Sequence, residues 1–158
     1  MTLTSSRFWR GAWYGVIGTV AMLVLMVVLD GVGLLPAPVY IDTIGQLLAF
    51  AFGEAGDVTP GVIAVALPLC LVYGGLWGGL AAITSLQLTW WKGLVLGGGL
   101  WLVMMIFLVP YVATQSFAAV HSPRIWVGTL LMHAAYGFTF GALAERHEPL
   151  EAHATSLA

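Results

Sequence analysis

Two long stretches of this chain carry no ionisable charge at all. Val58 to Trp91 contains no Asp, Glu, Lys, Arg or His, and Gly93 to Val120 is equally bare. An apolar run of about 18 residues or more without charge is long enough to cross the hydrocarbon of a bilayer as a helix. Only 8% of the 158 residues are charged, against about a quarter in a soluble domain. The length fits one domain. A net charge of −2 leaves no electrostatic footprint for nucleic acid, so no nucleic-acid partner is expected. Cys70 is the one cysteine, so no intramolecular disulfide can form.

Breakers and anchors divide the chain. A polar tail runs to Arg7-Phe8-Trp9-Arg10, where Arg and Trp make an interface anchor. The spacing predicts a first helix over 11–29, ended by Asp30-Gly31, Gly33, Pro36 and Pro38. That apolar stretch is longer than a signal-peptide core. Leu35-Pro36-Ala37-Pro38 is also a poor cleavage site, so the helix is read as retained. Helices are predicted over 61–83, 93–112 and 125–144. Trp90-Trp91-Lys92 stands in the turn before the third, and a polar tail begins at Glu145. The first connection carries Asp42, Glu54 and Asp57 and no Lys or Arg. Within it Thr43-Ile44-Gly45-Gln46 reads as a capping box, followed by apolar residues at helical spacing. Residues 41–52 are too short to span, which predicts an interfacial or re-entrant helix, with a plain loop as the alternative. Arg7, Arg10, Lys92 and Arg146 fall on one side of such a bundle and Arg124 on the other. By the positive-inside rule both termini are expected in the cytoplasm.

One stretch occurs twice. Residues 73–81 read Tyr-Gly-Gly-Leu-Trp-Gly-Gly-Leu-Ala and residues 136–144 read Tyr-Gly-Phe-Thr-Phe-Gly-Ala-Leu-Ala, identical at five of nine positions. Trp9-Arg10-Gly11 opens the first helix as Trp91-Lys92-Gly93 opens the third. The expected fold is therefore all-α: a four-helix membrane bundle of two parallel two-helix repeats, plus the short interfacial helix. Each helix holds a pair of glycines four apart: Gly11/Gly15, Gly74/Gly78 (with Gly75/Gly79), Gly93/Gly97 and Gly137/Gly141. Such pairs let helix backbones approach closely, and all four fall in the predicted cytoplasmic half.

Candidate chemistry is sparse. His133 lies near mid-membrane, where an ionisable side chain is a functional-site hypothesis by default. It shares a helix face with Tyr136, Gly137, Phe140 and Gly141, and Cys70 holds the matching place before Tyr73. With Asp30 at the end of the first helix, His133, Tyr136, Tyr73 and Cys70 form a candidate polar site. Its alternatives are a ligand to metal or haem, a proton relay, or a hydrogen-bonded packing residue. Met22 and Met26 one turn apart, with His133, offer the softer donors that Cu(I) takes, but Met is also an ordinary gap-filler. No cofactor is expected, and haem and copper stand as alternatives. No His-Glu-x-x-His, Gly-x-Ser-x-Gly or phosphate-binding glycine loop is present, so no enzyme is expected.

On the glycine-paired opening of the first helix, Met22, and His133-x-x-Tyr136-Gly137-x-x-x-Gly141, the chain resembles uncharacterised bacterial inner-membrane proteins of the YagU-like kind. The resemblance implies a small helical membrane protein and supplies no catalytic residues. The expected role is an accessory or structural subunit of an inner-membrane complex, or a homo-oligomer, partnered by lipid and by other membrane chains. A small solute or ion transporter with an outward cleft is the alternative, and a haem- or metal-binding redox subunit through His133 the second.

Overall fold

A computed structural model of the chain describes residues 3–35, 60–85, 87–108 and 123–147. They form four helices: α1 Leu3–Gly31, α2 Pro60–Thr84, α3 Trp90–Val103 and α4 Pro123–His147. α3 continues through one wider π-helical turn, Met104–Leu108. Three of the four, α1, α2 and α4, are long and apolar enough to cross a membrane; Trp90–Ile106 in α3 is a shorter apolar helix. The predicted interfacial helix at 41–52 and the end of the predicted third helix, 109–112, lie outside the described residues.

The starts and stops follow local chemistry. α2 and α4 each open on a proline, whose missing N–H would be unsatisfied there in any case. α1 closes in a Schellman motif. Gly33 takes φ +72°, its N–H donates to the Asp30 carbonyl at 2.8 Å, and the Leu34 N–H donates to the Leu29 carbonyl at 2.9 Å. Leu35 then folds back and is buried beside Gly128 of α4.

Three boundaries differ from the sequence expectation, all at one end of the bundle. The polar tail before residue 11 is helical from Leu3. Trp90-Trp91-Lys92 is the first turn of α3 and not part of the turn before it. The segment from Glu145, read as tail, continues α4 to His147. The reason is long-range capping. Arg7 donates from its guanidinium to the Ser85 carbonyl at 2.8 Å, closing the C-terminal end of α2 with a cation. Glu145 accepts the Trp90 N–H at 3.0 Å, so a carboxylate on α4 caps the N-terminus of α3. Thr89 sits extended at the N-cap position (φ −125°, ψ 160°) but its hydroxyl makes no cap bond. A helix must reach Arg7, and another must reach Glu145, for these bonds to form.

The packing is that of two tight antiparallel pairs joined through their first and last members. α1 lies along α2, α3 along α4, and α1 along α4, while α2 and α3 share next to no helix–helix contact. Both tight pairs meet backbone to backbone. A methyl on Gly15 would overlap the Gly74 carbonyl, and one on Gly11 would lie 2.5 Å from the Gly78 carbonyl. In the second pair a methyl on Gly93 or Gly137 would overlap the carbonyl of the other residue. Between the pairs, Met22, Leu29 and Leu35 pack with Leu100, Met132 and Tyr136; nearer the capped end, Ala82 and Leu88 pack with Phe140 and Ala144.

Substitution of Gly15 by Leu is expected to separate α1 from α2 and cost about 1–3 kcal/mol, the usual range for overpacking. Gly98, whose added methyl meets nothing within 4 Å, is expected to accept Ala without loss. Thermal unfolding in a mild detergent checks both, and equal melting of the two variants would contradict the seam.

Candidate functional site

Inside the bundle the polar side chains are few, and their partners come mostly from helix carbonyls. Thr129 on α4 is the most connected. Its hydroxyl donates to the Ile125 carbonyl at 2.7 Å and accepts the indole N–H of Trp101 on α3 at 3.0 Å. Its own carbonyl takes a bond from Nδ1 of His133, one turn on, at 2.8 Å. A carbonyl only accepts, so Nδ1 carries the proton. In the neutral ring Nε2 is then the nitrogen with the lone pair, and it is the atom that would serve as ligand or base. The His133 side chain is buried, at 8% exposure.

Tyr136 follows on the same face of α4. Its hydroxyl donates to the Gly74 carbonyl of α2 at 2.8 Å. Its ring lies parallel to that of Phe140, at 6.2 Å. Gly18 of α1 gives it room, since a methyl there would come within 2.9 Å of the Tyr136 carbonyl and 3.0 Å of its ring. One tyrosine thus ties α4 to α2 beside α1. On the other face of this contact, the hydroxyl of Thr19 donates back to the Gly15 carbonyl at 2.9 Å and occupies the place where a side chain on Gly74 would go.

The other sequence candidates do not join this cluster. Tyr73 is half exposed and sets its ring edge-on to Trp77 at 6.1 Å. Cys70 is a half-buried free thiol on α2, and Asp30 is exposed in the last turn of α1. Neither hydrogen-bonds His133 or Tyr136 among the described residues. Met22 and Met26 pack within the same apolar cluster as Met132 and Tyr136. Among the described residues no three His, Cys, Asp or Glu side chains gather closely enough to hold a metal ion. Sequence reasoning passed over Thr19, Thr129 and Trp101. The signal was available: a threonine in an apolar helix needs an acceptor, and the carbonyl four residues back is the nearest.

Comparison with known proteins places the chain. A family model described as a family of unknown function, DUF6789, matches residues 5–155. The chain belongs to DUF6789. No curated protein and no solved structure matches it, and the comparisons draw no link to YagU-like proteins. The match to DUF6789 spans His133, Tyr136 and nearly the whole of the described helices.

Tyr136→Phe is expected to lower stability by about 0.6–1.5 kcal/mol, the range for one interhelical hydrogen bond, with the helix content unchanged by circular dichroism. An unchanged unfolding midpoint would show that the bond to Gly74 contributes nothing.

Proposed function

We propose that this DUF6789 protein is a non-enzymatic, multi-pass protein of the bacterial inner membrane that acts through its lipid-facing helix surfaces. It serves as an accessory subunit of a larger membrane complex or as a homo-oligomer. One observation carries the reading: His133, Tyr136, Thr19, Thr129 and Trp101 are all engaged by protein partners inside the bundle. A polar group left unpaired in hydrocarbon is costly, and here these groups hold helices to one another. What the bundle offers outward is apolar. Val65, Leu69, Val72 and Leu76 line one exposed face of α2, and Val95, Leu102 and Ile106 are exposed on α3.

The same reading gives the arrangement in the bilayer. Trp9, Trp13, Trp90 and Trp91 are exposed near one end, and Trp126 toward the other, at the two depths where indole rings prefer to sit. Arg7, Arg10, Lys92 and Arg146 share the first end, with Arg124 at the second, which supports cytoplasmic termini. Two parallel helix pairs related by repetition are supported by the use of the same glycine positions at both seams, although the second seam is one turn out of register. Gly11 lies against the Gly78 carbonyl and Gly15 against that of Gly74, whereas Gly93 lies against the Gly137 carbonyl and Gly97 against that of His133. The close seams lie toward the basic end.

Native mass spectrometry of the protein released from mild detergent tests the proposal. The expected result is a multiple of the chain mass, or added protein mass that names a partner. A single chain alone would overturn the reading in favour of transport by a monomer. A chain carrying the mass of a haem would overturn it in favour of a redox subunit.

A further inference from the structure

The outer side of the α3–α4 pair carries an open groove that the packing account leaves unused. Trp90, Phe138, Ala142, Glu145 and Arg146 line it, and it measures about 420 Å³, within the about 300–1,000 Å³ of small-molecule sites. Phe138 lies one turn before Ala142, and Glu145 and Arg146 lie one turn after it, so the four share a face of α4. Trp90 comes from the first turn of α3 and sets its ring edge-on to Phe138 at 6.4 Å. Ala142 contributes only a methyl between the rings and the charged pair. The groove is therefore graded along α4, apolar at Phe138 and Ala142 and charged at Glu145 and Arg146. Both charges are available. Arg146 is exposed and makes no hydrogen bond or ion pair among the described residues. Glu145 accepts the Trp90 N–H on Oε2. A carboxylate accepts several bonds, and its second oxygen has no partner among the described residues.

We propose that this groove seats a phospholipid with a primary-amine headgroup, of the phosphatidylethanolamine class. Charge complementarity selects it. A cation and an anion stand side by side on α4, and the headgroup carries the opposite pair, a phosphate and an ammonium. Arg146 donates to the phosphate oxygens through its planar fork of N–H groups. The ammonium donates to the Glu145 carboxylate in a charge-assisted bond. A choline headgroup has no N–H to donate, and a glycerol headgroup sets no cation against Glu145. Depth agrees. Trp90 and Trp91 are half exposed at this end of α3, and exposed Trp marks the headgroup boundary. From there the acyl chains run inward over Ala142 and the half-exposed Phe138. The proposal rests on the membrane-embedded reading above and not on the subunit reading. The number of chains in a native mass spectrum bears on the subunit reading, and the class of lipid retained bears on this site.

The test uses the full-length protein with Arg146→Gln and Glu145→Gln, the latter keeping an acceptor for the Trp90 N–H. Arg124→Gln at the opposite end is the control. Phosphatidylethanolamine, phosphatidylcholine and phosphatidylglycerol are offered in equal amounts in mild detergent. Lipid retained in the native mass spectrum is recorded, with melting temperature as the check on folding. The expected result is retention of phosphatidylethanolamine over both other lipids. Arg146→Gln is expected to lower that retention about fivefold, the upper end for an exposed ion pair. Glu145→Gln is expected to abolish the preference over phosphatidylcholine, and Arg124→Gln to change neither. Equal retention of the three lipids would overturn the proposal, as would a preference for either of the others. So would a second copy of the chain without lipid, which would show this face covered by protein, or an Arg146→Gln protein that melts normally and retains lipid as the parent does. Should a variant fail to fold, the parent's ranking of the three lipids decides. A chain recovered in the soluble fraction of cells would remove the membrane reading together with the site.

Discussion

Backbone laid directly against backbone is the contact on which the rest of this bundle depends. In lipid no hydrophobic force draws two apolar helices together, because the acyl chains are as apolar as the side chains. What remains is close packing and hydrogen bonding. Gly11, Gly15, Gly74 and Gly78 let the backbones of α1 and α2 touch at their crossing, and Gly93, Gly97, Gly137 and Gly141 do the same for α3 and α4. The seams fix how far each helix is shifted along its neighbour. That shift sets Arg7 opposite the end of α2 and Glu145 opposite the start of α3, so the caps are a consequence of the seams.

The polar groups add direction to that packing. Tyr136 reaches past α1 to a carbonyl of α2, and Trp101 of α3 reaches Thr129 of α4. The Trp101–Thr129 tie lies within the α3–α4 pair that the glycines bring together, whereas the Tyr136 bond links one pair to the other. His133 is bonded within α4 itself, to the Thr129 carbonyl, and this fixes which ring nitrogen carries the proton. The unequal contact pattern, with α1 against α4 but α2 apart from α3, leaves apolar side chains of the flanking helices α2 and α3 exposed.

Much of this was readable from the residues. Charge-free runs and their breakers indicate an all-helical chain, and the described helices sit close to the predicted ranges. The misplaced boundaries share a cause. Leu3 to Arg10 and Glu145 to His147 are polar and look like tails in isolation, because their helical state depends on Ser85 and Trp90, far away in sequence. Periodicity groups His133, Tyr136, Gly137, Phe140 and Gly141 on one face, and all five are buried. It is silent on the acceptor for Tyr136, a backbone carbonyl on another helix that has no sequence signature. Asp30, Cys70 and Tyr73 were grouped with His133 as chemistry-bearing types, but their burial shows that side-chain type alone does not bring residues together.

The central claim, that α1 and α2 of one chain lie seam to seam, is tested most directly by cross-linking in the membrane. A methyl on Gly75 would lie 3.2 Å from a methyl of Val16, so cysteines at these two positions fall within the reach of a disulfide. With Cys70 replaced by Ser, Val16→Cys/Gly75→Cys is expected to oxidise to a cross-linked monomer. Gel mobility before and after reduction, with mass spectrometry of the linked peptides, reads this out. Failure to cross-link, or cross-links only between separate chains, would contradict the account.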